Sequence, residues 1–258
     1  SGDTIVGLSP LETYGDGITA TIDLSAGGDN LVNLKDDAGQ GGDLTITGGS
    51  GDEDILIDDS SARQGGSLKL DMAMGGSNLT RVGRRGSEGS SGSFAYTAGA
   101  GSDTIVVGER FLKSGNGTFD MRLGGYNVLS LGESSVTAGV FNYDGGSGTD
   151  VVVSSYRFAA DAGNATFTMT AGGDNVLTLG KEAAQSGEIT YHGGSGSDLL
   201  MFDEDLAEGG GQVTVDMSLG GENTFIASDS PAYNGTVTYT GGSQTDTIIL
   251  ADSAAYSG

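Results

Sequence analysis

Ten glycine turns set at regular intervals constrain this chain more than any other feature. They begin at Gly27, Gly48, Gly75, Ala98 (in place of a glycine), Gly124, Gly145, Gly172, Gly193, Gly220 and Gly241, with spacings that alternate between 21–23 and 26–27 residues. Two kinds of turn alternate. In GGxN turns asparagine falls at Asn30, Asn78, Asn127, Asn175 and Asn223. In GGSGxD turns and their variants aspartate falls at Asp54, Asp103, Asp150, Asp198 and Asp246, with one residue inserted before Asp54. A pair of turns occupies about 48 residues, so the 258 residues divide into five double repeats, roughly 18–66, 67–117, 118–164, 165–211 and 212–258. Such self-similarity marks a single array in which each unit packs on its neighbours.

The segments leading into GGxN turns alternate apolar and polar residues, as in Leu68, Leu70, Met72, Met74, in Phe119, Met121, Leu123 and in Val213, Val215, Met217, Leu219. A period of two predicts strands with one buried face, and Thr214, Asp216 and Ser218 then face water. Segments leading into the other turns behave alike, and the recurrence of Tyr96, Tyr143, Tyr191 and Tyr239 before the turn predicts a stack of core aromatics. Short apolar runs such as 176–179 and 248–250 follow the turns, and polar loops such as 35–42, 58–66 and 154–164 return the chain. One helical turn each is expected at 109–113 and 156–162.

Each half repeat is therefore strand, glycine turn, strand and loop. The fold expected is all-β, a parallel β-solenoid (β-roll or β-helix) of about ten coils of ~24 residues, with two facing sheets and a length on the order of 48 Å. A 48-residue rung that stacks like turns on like satisfies the same spacing, and both geometries are open at this level. Glycine pairs suit the corners because they permit positive φ and close approach of neighbouring backbones.

With 35 acidic residues against 11 basic ones, the formal charge of −24 has the sign of nucleic acid and of anionic membranes, so neither is an expected partner and cations are. No run reaches the ~18 apolar residues of a spanning helix, so no membrane insertion is expected. Cysteine is absent, which removes disulfides and thiolate metal sites. His192 is the single histidine, so zinc or triad chemistry would rest on it alone; an exposed strand position accounts for it. The acidic pair Asp58 and Asp59 and the run 203–205 read as solvated loop charge, and Arg81, Arg84 and Arg85 form the one basic cluster.

The string Gly193, Gly194, Gly196, Asp198 with Leu200 recurs as Gly145, Gly146, Gly148, Asp150 with Val152 and as Gly241, Gly242, Asp246 with Ile248. It resembles the calcium-binding nonapeptide of the RTX family, toxins secreted through type I systems. The resemblance implies a parallel β-roll outside the cell, with Ca2+ held between rungs by turn carbonyls and aspartates, which makes Asp54, Asp103, Asp150, Asp198 and Asp246 the candidate metal residues. In that family the motifs follow one another every nine residues, whereas here the aspartate turn comes once per double repeat and alternates with GGxN. On the residues alone the aspartates have two open roles, ion ligand or cap of nearby N–H groups, and the stacked asparagines read as an internal ladder.

The expected function is a structural segment of a secreted or cell-surface bacterial repeat protein, in a surface layer, an adhesin stalk or an extracellular filament. It would be ordered by Ca2+ and would not be an enzyme. Residues 1–6 read as the second half of a GGSGxD turn with Asp3 in the aspartate position, so the pattern starts in mid-unit, which fits self-association end to end or a place within a longer array. The alternatives are a glycan- or surface-binding module, a polysaccharide-active β-helix enzyme, and an ice-binding solenoid whose threonine ranks are broken by Ala95, Asn142, Asp144 and His192.

Overall fold

Each glycine turn carries the chain from one sheet to another lying opposite, and each longer loop carries it back. The computed structural model of the protein describes residues 4–8 (as backbone), 19–35, 39, 41–59, 62, 64–85 and 92–251. The expected aspartate position at Asp3 lies outside the described residues. Strands alternate strictly between an eleven-stranded and a ten-stranded sheet, and every pairing is parallel. This is a β-solenoid with almost no helix.

The register settles the rung. Asn127 lies opposite Asp150, and Val151 lies opposite Val176, which sets Asp150 against Asn175. Asparagine turns therefore stack on aspartate turns, one rung spans about 24 residues, and the 48-residue geometry is excluded.

The core runs the length of the rod between the sheets. Phe94, Phe119, Phe141 and Phe167 stack with successive ring centroids 5.2, 5.3 and 5.4 Å apart. Tyr96, Tyr143 and Tyr191 are buried beside them, as the repeat of tyrosines before the turn predicts. The register puts Phe119 and Phe167 in one column with Tyr96, Tyr143 and Tyr191, and Phe94 and Phe141 in the neighbouring inward column, so the phenylalanine contacts zigzag between two columns whose members lie one strand spacing apart.

Three local expectations need correction. Met74, Leu123 and Leu219 continue the alternation of their strands yet are 55%, 56% and 59% exposed. The chain has already begun its turn there, so the last apolar residue of each run projects from the corner. The return loops are not simply polar: Phe111, Leu112, Phe158 and Leu206 are buried and extend the core beyond the sheets. The segments 109–113 and 156–162 are not helical, because their backbones bond from rung to rung, as in Arg157 N–H to Lys181 C=O at 2.8 Å, and Arg110, Arg157 and Ala159 take left-handed φ of 55°, 50° and 54°. The single short 3-10 turn among the described residues is Glu208–Gly210.

The two sheets differ on their outer faces. The ten-stranded sheet alternates cleanly, with an outward column that includes Thr118, Asn142, Thr166, Thr190 and Thr214, and a second that includes Asp120, Asp144, Thr168, His192 and Asp216. Asp144 and His192 thus interrupt a different column from Ala95 and Asn142. The eleven-stranded sheet is apolar within and largely apolar without.

Candidate functional site

Every residue singled out by the turn pattern except Asp54 converges on one corner of the solenoid. In the GGxN turns Gly124 and Gly172 adopt φ of 109° and 113°, a region closed to side chains, and this reversal delivers the asparagine as the first inward residue of the next strand. In the GGSGxD turns the demand is for space. A Cβ on Gly148 would lie 1.8 Å from the Gly125 carbonyl oxygen of the preceding rung, so only glycine lets the rungs close to hydrogen-bonding distance.

The side chains so placed form a continuous ladder. Asn78 Nδ2 donates to Asp103 Oδ1 at 2.7 Å, Asp103 N–H to Asn127 Oδ1 at 3.2 Å, and Asn127 Nδ2 to Asp150 Oδ1 at 2.8 Å. Asp150 N–H donates to Asn175 Oδ1 at 3.0 Å, Asn175 Nδ2 to Asp198 Oδ1 at 3.0 Å, and Asp198 N–H to Asn223 Oδ1 at 3.0 Å. Asn223 Nδ2 then reaches Asp246 Oδ1 at 3.0 Å. Each asparagine also donates to its own turn, as Asn127 does to Gly124 C=O at 3.3 Å. Asp103 and Asp150 turn their second oxygen to their own glycine pair, Gly99 N–H to Asp103 Oδ2 at 3.2 Å and Gly146 N–H to Asp150 Oδ2 at 3.0 Å, whereas Asp198 Oδ2 is buried without a hydrogen-bond partner. The asparagines, Asp103, Asp150 and Asp198 are all buried.

The first aspartate turn departs from the sequence reading. Asp54 is on the outer face, where Arg81 Nη1 pairs with it at 3.2 Å. Glu53 takes the ladder position instead: it accepts from Asn30 Nδ2 at 3.1 Å and Gly49 N–H at 2.9 Å, and its N–H donates to Asn78 Oδ1 at 3.0 Å. The signal was in the spacing, since Glu53 follows Gly48 by the same five residues that separate Gly145 from Asp150. Its side chain is one methylene longer than the aspartates of the other turns. Asp246 joins at the last described turn and is only partly buried.

The electrostatics follow from burial without a basic partner. Burial pushes the carboxyls of Asp103, Asp150, Asp198 and Glu53 above their ordinary range, and the N–H donors pull part of the way back. Burial first, and the adjacent carboxylate second, hold the phenols of Tyr96, Tyr143 and Tyr191 well above theirs. These hydroxyls sit beside the carboxylates of Asp103, Asp150 and Asp198 without a hydrogen bond of sound geometry.

A calcium ion needs six to eight oxygen ligands. The buried carboxylates present at least one oxygen each to N–H groups, with Glu53 Oε2 and Asp198 Oδ2 left unpartnered, and the turn carbonyls nearest the asparagines accept Nδ2 protons. In this arrangement the corner side chains act as caps of N–H groups. Among the described residues no three histidine, cysteine or acidic side chains converge as metal ligands. His192 Nδ1 lies 3.8 Å from Asp216 on the exposed face, and Arg84 lies 3.6 Å from Glu109.

The chain matches no family model, no curated protein and no solved structure.

Proposed function

We propose that this chain is a structural, rod-forming segment of a secreted or cell-surface bacterial repeat protein, a spacer or filament element of the kind that builds surface layers, adhesin stalks or extracellular filaments, and not an enzyme. The observation that carries the reading is the ladder itself: along ten consecutive turns the most conspicuous polar residues are spent on joining rung to rung. Repetition of this kind supplies length and stiffness.

The ladder does at these corners what Ca2+ does in RTX-like turns, bridging neighbouring rungs through a buried carboxylate, so the fold does not require calcium. End-to-end continuation, by a second copy or by more of the same array, is part of the proposal. Ile248 and Leu250, in register with the inward Phe225 and Ala227, are 49% and 50% exposed at the last described rung, where another rung would cover them.

The test is a calcium titration from EGTA, followed by far-ultraviolet circular dichroism and melting temperature. A folded β spectrum in EGTA and a melt that ignores millimolar calcium are expected. A β signal that forms only with calcium, and is lost in Asp150→Ala, would return the turns to ion binding.

A further inference from the structure

The eleven-stranded sheet carries apolar side chains on its outer face with no cover from the described chain. In the consecutive strands Asn127–Leu131, Asp150–Tyr156, Val176–Lys181 and Leu199–Phe202 the first outward column is Val128, Val151, Val176 and Leu199. The next column reads Ser130, Val153, Thr178 and Met201, and none of the six apolar residues of the two columns is buried. From Thr104 to Ile249 these two outward columns contain no charged residue, in a chain of formal charge −24. Toward the other end Asp54 and Arg81 occupy the same face and pair with each other.

Parallel strands that read as near-continuous apolar runs belong to sheets covered on both faces. Here the inner face is covered by the ten-stranded sheet, whose own outer face is threonine, asparagine and aspartate. An exposed apolar surface of several hundred Å2 on one side only marks an interaction surface.

We propose that two copies of this chain pack face to face through the outer surfaces of their eleven-stranded sheets. The seven strands from Thr104–Val107 to Thr247–Leu250 span roughly 34 Å of the rod, so two columns about 13 Å wide give roughly 440 Å2 per copy and about 880 Å2 for the pair, the size of a weak, concentration-dependent interface. The uncharged strip allows two strongly acidic chains to meet without burying a charge. Because the columns repeat at the rung spacing, two identical faces interdigitate along these seven strands, as aligned sheets do at a separation of about 10 Å. The surface lies on the side of the rod, so this pairing is independent of continuation at the ends. Repulsion between the two acidic copies is screened by salt while the apolar contact is not, so the dimer tightens as ionic strength rises.

Sedimentation equilibrium of the full chain tests this, with a Val153→Lys, Met201→Lys variant and a control Thr166→Lys, Thr190→Lys on the opposite outer face. Wild type and control are expected at twice the chain mass, more firmly at high salt, and the face variant at one chain mass with an unchanged circular dichroism spectrum and an affinity at least about tenfold weaker, 1.4 kcal/mol. Should the lysine pair fail to fold, Val153→Thr with Met201→Thr removes apolar area without adding charge and must still weaken the dimer. A wild-type chain that stays monomeric up to about 100 µM overturns the proposal. So does association that the face substitutions leave intact, as stacking at the ends would, and so does a monomer that binds neutral phosphatidylcholine vesicles through this face.

Discussion

Asn127 Nδ2 donates to Asp150 Oδ1 at 2.8 Å across a corner where neither side chain reaches solvent. The bond spans 23 residues of sequence and one rung of structure, and Asp150 passes the connection on by donating its own N–H to Asn175. Amide and carboxylate alternate because each needs what the other offers. An asparagine supplies N–H protons to the carboxylate below and an oxygen to the backbone above, whereas two stacked aspartates would set like charges one strand spacing apart.

Removing Asp150 tests that exchange. Asp150→Ala leaves one Nδ2 proton of Asn127 and the Gly146 N–H without an acceptor in a buried corner, at about 1–3 kcal/mol for each stranded donor. Urea unfolding should show a loss of roughly 2–6 kcal/mol. Asp150→Asn keeps one acceptor and discards a buried charge, so its loss should be smaller; equal losses would mean that the second carboxylate oxygen carries the contact.

Glu53 and Asp54 should respond in opposite ways. Glu53→Ala breaks the ladder bonds from Asn30 and Gly49 and should cost about 2–6 kcal/mol by the same reasoning. Asp54→Ala removes a half-exposed ion pair with Arg81 and should cost no more than about 1 kcal/mol. A reversed order in thermal melts would place the wrong residue in the corner.

Stability should fall as pH rises above the carboxylate range. The native carboxyls of Asp103, Asp150, Asp198 and Glu53 titrate above their unfolded values, so between the two values the folded chain binds more protons than the unfolded one. Their contribution is complete below the unfolded value and is lost as pH rises through the native one. Asp23, Asp120 and Asp216, lowered by side-chain hydrogen bonds from Ser25, Arg122 and Ser218, act in the opposite sense, but they lie on an outer face where solvent weakens them. A melting temperature that declines as pH rises from the ordinary carboxylate range of about 4, with a shallower slope in an Asp150→Asn, Asp198→Asn variant, is expected. Equal slopes in the two proteins would assign the trend to overall charge repulsion instead.

Gly148→Ala should be among the most damaging single changes. Its Cβ would meet the Gly125 carbonyl at 1.8 Å, and because backbone atoms are on both sides the rungs must separate locally. A drop in melting temperature of several degrees or failure to fold is expected, and an unperturbed melt would show that the rungs are not this closely stacked.

Strand positions, turn types and the tyrosine column were legible because they depend on local rules: alternation at a period of two and glycine at reversals. The corner was legible in part. The turns mark the five asparagines, Asp103, Asp150, Asp198 and Asp246, whereas in the first aspartate turn Asp54 fits the pattern in residue type and Glu53 fits it in spacing, and burial selects the spacing. The loops misled because their buried residues come in short clusters, Phe111 with Leu112, Phe158 with Ala159 and Ala160, and Leu206 with Ala207, too short to carry a periodic signal.

The sequence by itself determined an all-β array, its double repeat, its strands and the chemistry of its turns, since each follows from residues a few positions apart. Only the tertiary structure decided that the rung is half the repeat, that asparagine stacks on aspartate, and that one sheet shows apolar side chains to solvent while the other shows threonine and aspartate. Those outcomes rest on which rung lies against which. That is fixed by hydrogen bonds and packing between residues more than twenty positions apart, which no local pattern records.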